Sequence, residues 1–115
     1  MGSYRIYEVA TARVKPGNSS EAVKWWNEKG KPLLEASPGT KWVKAFAVQF
    51  GLGGEYHLEI WREIDTYGSY DKLDEDLVAH PEKYAAFSDS FEFMEWGPTR
   101  LMGEWPESQF VADEE

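Results

Sequence analysis

The stretch that decides the fold is Thr40–Glu63, which reads TKWVKAFAVQFGLGGEYHLEIWRE. Side chains of different character alternate along both halves of this stretch, and such alternation is typical of β-strands. The glycine-rich residues Gly51–Gly54 between the halves predict a hairpin turn. We therefore predict two antiparallel strands, over Thr40–Phe50 and Glu55–Glu63.

The residues before this hairpin predict a strand and then a helix. Apolar residues alternate along Tyr4–Val14, which predicts the first strand. Ser19 or Ser20 can then cap a helix. Because Pro32 lies inside the helical pattern, we expect that helix to kink or break near Gly30.

The residues after the hairpin predict a second helix and a short final strand. Asp65 is a candidate cap for the helix, which is interrupted at His80-Pro81 and continues to Met94. Gly97-Pro98 should stop it, and Thr99–Trp105 should form the last strand.

The resulting β-α-β-β-α-β order predicts an α+β, ferredoxin-like fold. Its four strands form an antiparallel sheet with both helices on one face. In a chain of 115 residues nothing remains to cover the other face, so we expect a homodimer formed through that face. We interpret residues 1–115 as a single domain, with its core in 4–105 and a tail or arm in 106–115.

Charge and composition exclude several classes of function. The chain has 12 basic and 21 acidic residues, a net charge of −9, which argues against nucleic acid and anionic membranes as partners. It has no cysteine, so disulfides and thiolate chemistry are excluded. Neither a signal peptide nor a membrane span is indicated, and we expect a cytoplasmic protein.

Aromatic residues make up 16% of the chain. Large aromatic side chains fill small cores and subunit interfaces efficiently. They also line most sites for apolar ligands. The composition alone leaves both interpretations open.

Four short segments resemble the NIPSNAP family. Tyr7-Glu8 followed by Val14–Gly17 is similar to the opening of that family. Leu58–Arg62 and Ala79–Phe87 resemble its third strand and the break in its second helix. The resemblance spans most of residues 4–105. It implies a dimeric α+β barrel, the superfamily that includes cofactor-independent antibiotic-biosynthesis monooxygenases and heme-degrading monooxygenases.

The resemblance also implies a pocket in each subunit, between the sheet and the helices. Heme-degrading relatives use an Asn on the first strand, a Trp on the third and a His on the second helix. Trp61 and His80 fall near the last two positions, but Ala10 stands at the Asn position. This departure argues against heme degradation, so we expect no cofactor.

The same resemblance implies that Glu8, Ala10 and Ala12 face the helices. We expect His57, Glu59 and Trp61 on the equivalent face of the third strand. Two nearby carboxylates can raise the pKa of one of them and create an acid or base. In the alternative interpretation, Glu8 and Glu59 pair with Arg5, Arg62 or Arg100 and stabilise the sheet.

The candidate residues therefore fall into two groups. Four could be catalytic: Glu8, His57, Glu59 and His80. Five could line a substrate pocket: Ala10, Ala12, Trp26, Trp61 and Phe87. For His80, which precedes a proline at a helix break, a local structural role is the alternative. No spacing typical of a metal site occurs, so we expect no metal.

Three functional hypotheses follow. The chain could be a cofactor-independent monooxygenase or isomerase that acts on a hydrophobic or aromatic compound. It could bind such a compound without turnover. It could also be a structural homodimer whose pocket is filled by its own aromatic side chains. An open cavity with a titrating pair favours the enzyme, and a cavity without one favours the binding protein.

Overall fold

The computed structural model describes residues 5–49 and 57–106. Its four strands are β1 (Ile6–Val14), β2 (Thr40–Val48), β3 (His57–Ile64) and β4 (Met94–Gly103). They form one antiparallel sheet in the order β2-β3-β1-β4. This is the ferredoxin-like α+β arrangement that the sequence predicts. The predicted hairpin turn at 51–54 and most of the predicted tail lie outside the described residues.

The helical segments follow the first and third strands. The first comprises α1 (Ser19–Trp25), a π-helical turn (Trp26–Gly30) and α2 (Lys31–Glu35). The second comprises α3 (Ser69–Ala79), a 3-10 turn (Pro81–Tyr84), α4 (Ala85–Asp89) and a 3-10 turn (Ser90–Glu92). Both predicted interruptions are present, each beside a proline that cannot donate a backbone hydrogen bond.

Strand register assigns every side chain of the sheet to one of two faces. Glu8 lies opposite Arg62, and Val9 lies opposite Trp61. Since side chains alternate along a strand, the even-numbered residues of β1 and β3 point to the helices. Their odd-numbered residues point to the uncovered side, which we call the open face. Its side chains include Tyr7, Trp42, Phe46, Glu59, Trp61 and Arg100.

The core between helices and sheet is built around Trp25. Its ring packs with the buried side chains of Ala12, Ala22 and Met94. The indole Nε1 of Trp25 donates a 2.8 Å hydrogen bond to the carbonyl oxygen of Ala86, which ties α1 to α4. The helices are therefore fixed against each other at one end of the sheet.

Predicted boundaries of α1, α3 and β4 are wrong. The cap position of α1 is Asn18, and not Ser19 or Ser20. β4 begins at Met94 rather than Thr99, and it runs through Gly97-Pro98. Because β4 is an edge strand, a proline there need not remove a hydrogen bond to a neighbouring strand. Asp65 does not cap α3: Gly68 is the cap position, while the Asp65 carboxylate accepts a hydrogen bond from the Ser69 hydroxyl.

Candidate functional site

Two neighbouring cavities with shared lining residues lie between the sheet and the helices. The larger, which we call the outer cleft, has a volume of about 650 Å³; Leu33, Leu34, Leu73, Leu77, Pro81, Tyr84 and Phe87 are among its lining residues. The smaller, the inner cavity, has a volume of about 240 Å³ and is lined by residues that include Ala10, Ile60, Trp96 and Thr99. Ligand sites in proteins have volumes of about 300–1,000 Å³.

The two cavities meet at four residues, which we call the junction. They are Glu8, Leu34, Arg62 and Phe87, and each lines both cavities. Glu8 and Arg62 come from adjacent strands, Leu34 from α2 and Phe87 from α4. Packing of the helices onto the sheet therefore creates the junction.

A hydrogen-bonded ion pair forms the polar floor of the junction. Arg62 Nε donates to Glu8 Oε1 over 3.1 Å, and Arg62 Nη1 donates to Thr40 Oγ1 over 2.8 Å. The Tyr70 hydroxyl donates to Glu8 Oε2 over 2.7 Å. Each carboxylate oxygen of Glu8 thus accepts a bond from within the protein.

Burial is unequal within this pair. The Arg62 side chain is 4% exposed, and the Glu8 side chain is 20% exposed. The Arg62 guanidinium also lies 6.0 Å from the centre of the Tyr70 ring. A charge taken out of water is tolerated when it is paired and hydrogen-bonded, as Arg62 is here.

Tyr70 is held in its protonated form. Burial, followed by the hydrogen bond to Glu8 and its negative charge, raises the pKa of the Tyr70 hydroxyl far above its usual value. It therefore acts as a hydrogen-bond donor to Glu8 rather than as a base.

A second polar cluster includes Tyr84, which lines the outer cleft. The Tyr84 hydroxyl donates to the carboxylate of Asp76, and Lys83 Nζ lies 2.8 Å from Asp76 Oδ2. These bonds lower the pKa of Asp76 below its usual value. They join α3 to the 3-10 turn after it and fix the position of Tyr84.

The structure places the predicted pocket residues in different surroundings. Glu8, Ala10 and Phe87 line the outer cleft or the inner cavity, as expected. Ala12 also points to the helices, but it is packed into the core beside Trp25. Trp26 lines another cavity, of about 210 Å³, together with Ala22, Ala45, Leu58 and Met94.

The prediction that His57, Glu59 and Trp61 share the face of Glu8 is wrong. Register pairs Glu8 with Arg62, so the odd-numbered residues of β3 point to the open face. Side chains alternate along β3 as predicted, but the odd-numbered ones lie on the face opposite to the expected one. A role for these three residues in the cleft would need contacts that the sheet prevents.

On the open face, Glu59 accepts bonds from two sides. Trp61 Nε1 and Arg100 Nη2 each donate to it over 3.0 Å, and His57 Nε2 lies 3.7 Å from its Oε2. Glu8 and Glu59 therefore pair with Arg62 and Arg100, which are the pairings expected if both carboxylates stabilise the sheet. Glu8 both pairs with Arg62 and lines the outer cleft.

His80 lies outside the junction. It is the residue after α3, its side chain is exposed, and its Nδ1 lies 3.8 Å from Glu82 Oε2. The adjacent Pro81, and not His80, lines the outer cleft. This arrangement agrees with the local structural role that the sequence left open.

Leu34 and Tyr70 were not among the residues predicted for the site, and Arg62 was predicted there only as an ion-pair partner of the carboxylates. Arg62 stands in phase with the apolar residues Leu58, Ile60 and Ile64, a signal that could have identified it as facing the helices. An arginine at such a position requires a buried acidic partner. Tyr70 gives no comparable signal, because many helical tyrosines are only partly buried.

Metal-binding side chains form no cluster in the part of the chain that the structure describes. Within residues 5–49 and 57–106, no group of three or more such residues could hold a metal ion. Nor is any described helix both long and apolar enough to cross a membrane.

Comparison with known proteins identifies the fold. Neither a family model nor a curated protein matches the sequence. Among solved structures, a NIPSNAP family protein of unknown function from Agrobacterium tumefaciens is 15% identical, with a TM-score of 0.68 over 96% of this chain and 95% of that chain. A proposed antibiotic biosynthesis monooxygenase from Bordetella bronchiseptica is 16% identical, with a TM-score of 0.59 over 95% and 99%.

A third similar structure is a dimeric ferredoxin-like protein of unknown function from Thermobifida fusca. It is 15% identical, with a TM-score of 0.58 over 90% of this chain and 92% of that chain. At these identities the comparisons show the fold alone. The chain therefore has the same α+β, ferredoxin-like fold as these NIPSNAP family and monooxygenase-like proteins, which confirms the resemblance seen in the sequence at the level of the fold.

Proposed function

We propose that this chain is a homodimeric protein that binds a small hydrophobic compound between its sheet and its helices. The observation that supports this most strongly is the pair of neighbouring cavities with leucine and aromatic walls and one hydrogen-bonded ion pair at their junction. An apolar enclosure with a few convergent polar groups is the usual form of a ligand site.

The geometry supports binding better than acid–base catalysis. Glu8 is the carboxylate at the junction, and its oxygens accept bonds from Arg62 and Tyr70. No second carboxylate or histidine is among the described residues that line the two cavities. A titrating pair of the kind that makes a general acid or base is therefore missing from this part of the site.

The catalytic alternative is a cofactor-independent monooxygenase or isomerase. Its support is the similarity of fold to the proposed monooxygenase from Bordetella bronchiseptica. Because one fold hosts many functions, that support is weaker than the support for binding. A structural homodimer, the remaining alternative, requires the cleft to be closed in solution.

Dimerisation through the open face is supported by its exposed aromatic side chains. Trp42 is 38% exposed and Phe46 is 45% exposed, and the rings of Tyr7 and Trp61 lie beside them. Contiguous apolar surface of this kind is typical of an interface. The similar Thermobifida fusca protein is described as dimeric.

The dimer can be tested with two matched substitutions. Phe46→Lys places a charge on the open face, and Phe91→Lys places the same charge on an exposed ring (53% exposed) of the helical layer. Light scattering after size exclusion should show a dimer for the natural protein and Phe91→Lys, and a monomer for Phe46→Lys. A monomeric natural protein would contradict the proposed dimer.

Binding can be tested with the uncharged fluorescent probe N-phenyl-1-naphthylamine. Leu34→Trp should fill the junction, because Leu34 lines both cavities. Val78→Trp adds the same ring to a side chain that is 84% exposed. We expect the natural protein and Val78→Trp to bind the probe and Leu34→Trp to lose at least about tenfold in affinity, equivalent to about 1.4 kcal/mol. Equal binding by both variants would contradict the cleft as the site.

A further inference from the structure

We propose that the junction recognises an uncharged hydrogen-bond donor, such as a hydroxyl group on an apolar ring system, and that it rejects anionic ligands. This inference rests on the proposed binding function and concerns the selectivity of the same cleft. It follows from the unequal access to the two members of the Glu8–Arg62 pair.

A ligand that occupies both cavities must pass the ion pair. Glu8, Leu34, Arg62 and Phe87 line both the outer cleft and the inner cavity. Leu34 and Phe87 are apolar, so the polar contacts available at that point are those of the ion pair. A polar group on the ligand is therefore best accommodated there.

The carboxylate is the more accessible member of the pair. Arg62 is 4% exposed and donates to both Glu8 and Thr40, with the Tyr70 ring beside its guanidinium. Glu8 is 20% exposed and accepts from Arg62 and Tyr70. A carboxylate has about four lone-pair sites, so these two bonds leave acceptor capacity for a ligand.

The charges at the junction determine which kind of ligand binds more tightly. Among the described residues that line the two cavities, Glu8 and Arg62 are the charged ones, and each neutralises the other. An anionic ligand would lose its hydration at the junction and would lie beside the Glu8 carboxylate. No unpaired cation lines the described part of the two cavities to compensate for that loss, so binding would be unfavourable. A hydroxyl group would instead donate a charge-assisted hydrogen bond to Glu8.

Three compounds with one ring system test this selectivity: naphthalene, 2-naphthol and 2-naphthoate. Their affinities should be measured by isothermal titration calorimetry near neutral pH, where the naphthol is uncharged and the naphthoate is ionised. We expect 2-naphthol to bind at least about tenfold more tightly than 2-naphthoate, and also more tightly than naphthalene. Leu34→Trp should weaken 2-naphthol binding, whereas Val78→Trp should not.

The results separate the two proposals. If none of the three compounds binds, the proposed binding function fails and this inference fails with it. If they bind in the cleft but the naphthoate equals or exceeds the naphthol, the cleft stands and the selectivity inference is overturned.

Glu8→Gln provides a second, more specific test. This substitution keeps the size of the side chain but leaves the charge of Arg62 unneutralised. We expect the order to reverse, with 2-naphthoate binding more tightly than 2-naphthol. An unchanged order in a folded variant would contradict the role of Glu8. If the variant does not fold, the relative affinities of the natural protein for 2-naphthol and 2-naphthoate decide whether the selectivity inference holds.

Discussion

The Glu8–Arg62 ion pair allows a quantitative prediction about stability. Removing one partner of a buried ion pair costs about 3–5 kcal/mol, because the other charge stays buried without compensation. Here Glu8 is 20% exposed, and a glutamine oxygen could still accept from Arg62, so the loss should be smaller. We expect Glu8→Gln to lower the free energy of unfolding by about 2–3 kcal/mol.

Urea denaturation followed by tryptophan fluorescence measures this loss. With a denaturant slope of about 1–3 kcal/mol/M, a loss of this size should lower the urea midpoint by roughly 0.7–3 M. All samples must have the same protein concentration, because the stability of a dimer depends on it.

Asp89→Asn is the matched control. It removes the charge from the Lys29–Asp89 pair, whose charged atoms lie 3.8 Å apart and whose side chains are 55% and 59% exposed. Exposed pairs contribute about 0–1 kcal/mol, so little change is expected. If Glu8→Gln were no more destabilising than Asp89→Asn, the assignment of a buried, structurally required pair would be refuted.

The remaining predictions concern acid stability and a tight turn. Asp76 has a pKa below its usual 3.8, so it stabilises the fold above that pH and loses this contribution as the pH falls through its folded pKa. Asp76→Asn should therefore be less stable than the natural protein near neutral pH, with the difference shrinking below about pH 3.8 in acid-unfolding curves. Gly39 has φ +79°, and a Cβ there would lie 2.0 Å from Ser69 Oγ. Gly39→Ala should lower the free energy of unfolding by more than about 1 kcal/mol, and thermal denaturation measures this; an unchanged midpoint would contradict the described turn.

Strand identity and fold class could be predicted from the sequence because alternation is a local property. Ile6, Ala10 and Val14 share one face of β1, as predicted, and the helices cover that face. The order of strands and helices then leaves few possible arrangements. Strands and fold class can therefore be predicted without knowing which residues lie opposite each other in the sheet.

The family resemblance implied the wrong orientation for β3, although Leu58, Ile60 and Ile64 share one of its faces. Both of its faces carry apolar and charged side chains: Trp61 lies among the odd-numbered residues and Arg62 among the even-numbered ones. Register decides between them, and a shift of one residue exchanges the faces. Because the register places Arg62 opposite Glu8, the charged groups of the cleft are this ion pair, whereas His57 and Glu59 lie on the open face.

The start of β4 was missed for a different reason. Phe87, Phe91 and Met94 are spaced as in a helix, and Gly97-Pro98 is a common helix stop. In the fold, Met94 instead pairs with Val14 at the edge of the sheet. Tertiary pairing overrides a local pattern that was compatible with a helix.

A crystal structure of the natural protein with 2-naphthol tests the central claim most directly. The account predicts the naphthol between sheet and helices, in contact with Leu34 and Phe87, with its hydroxyl within hydrogen-bonding distance of a Glu8 carboxylate oxygen. A naphthol bound only on the open face, or a cleft filled by protein side chains, would contradict it.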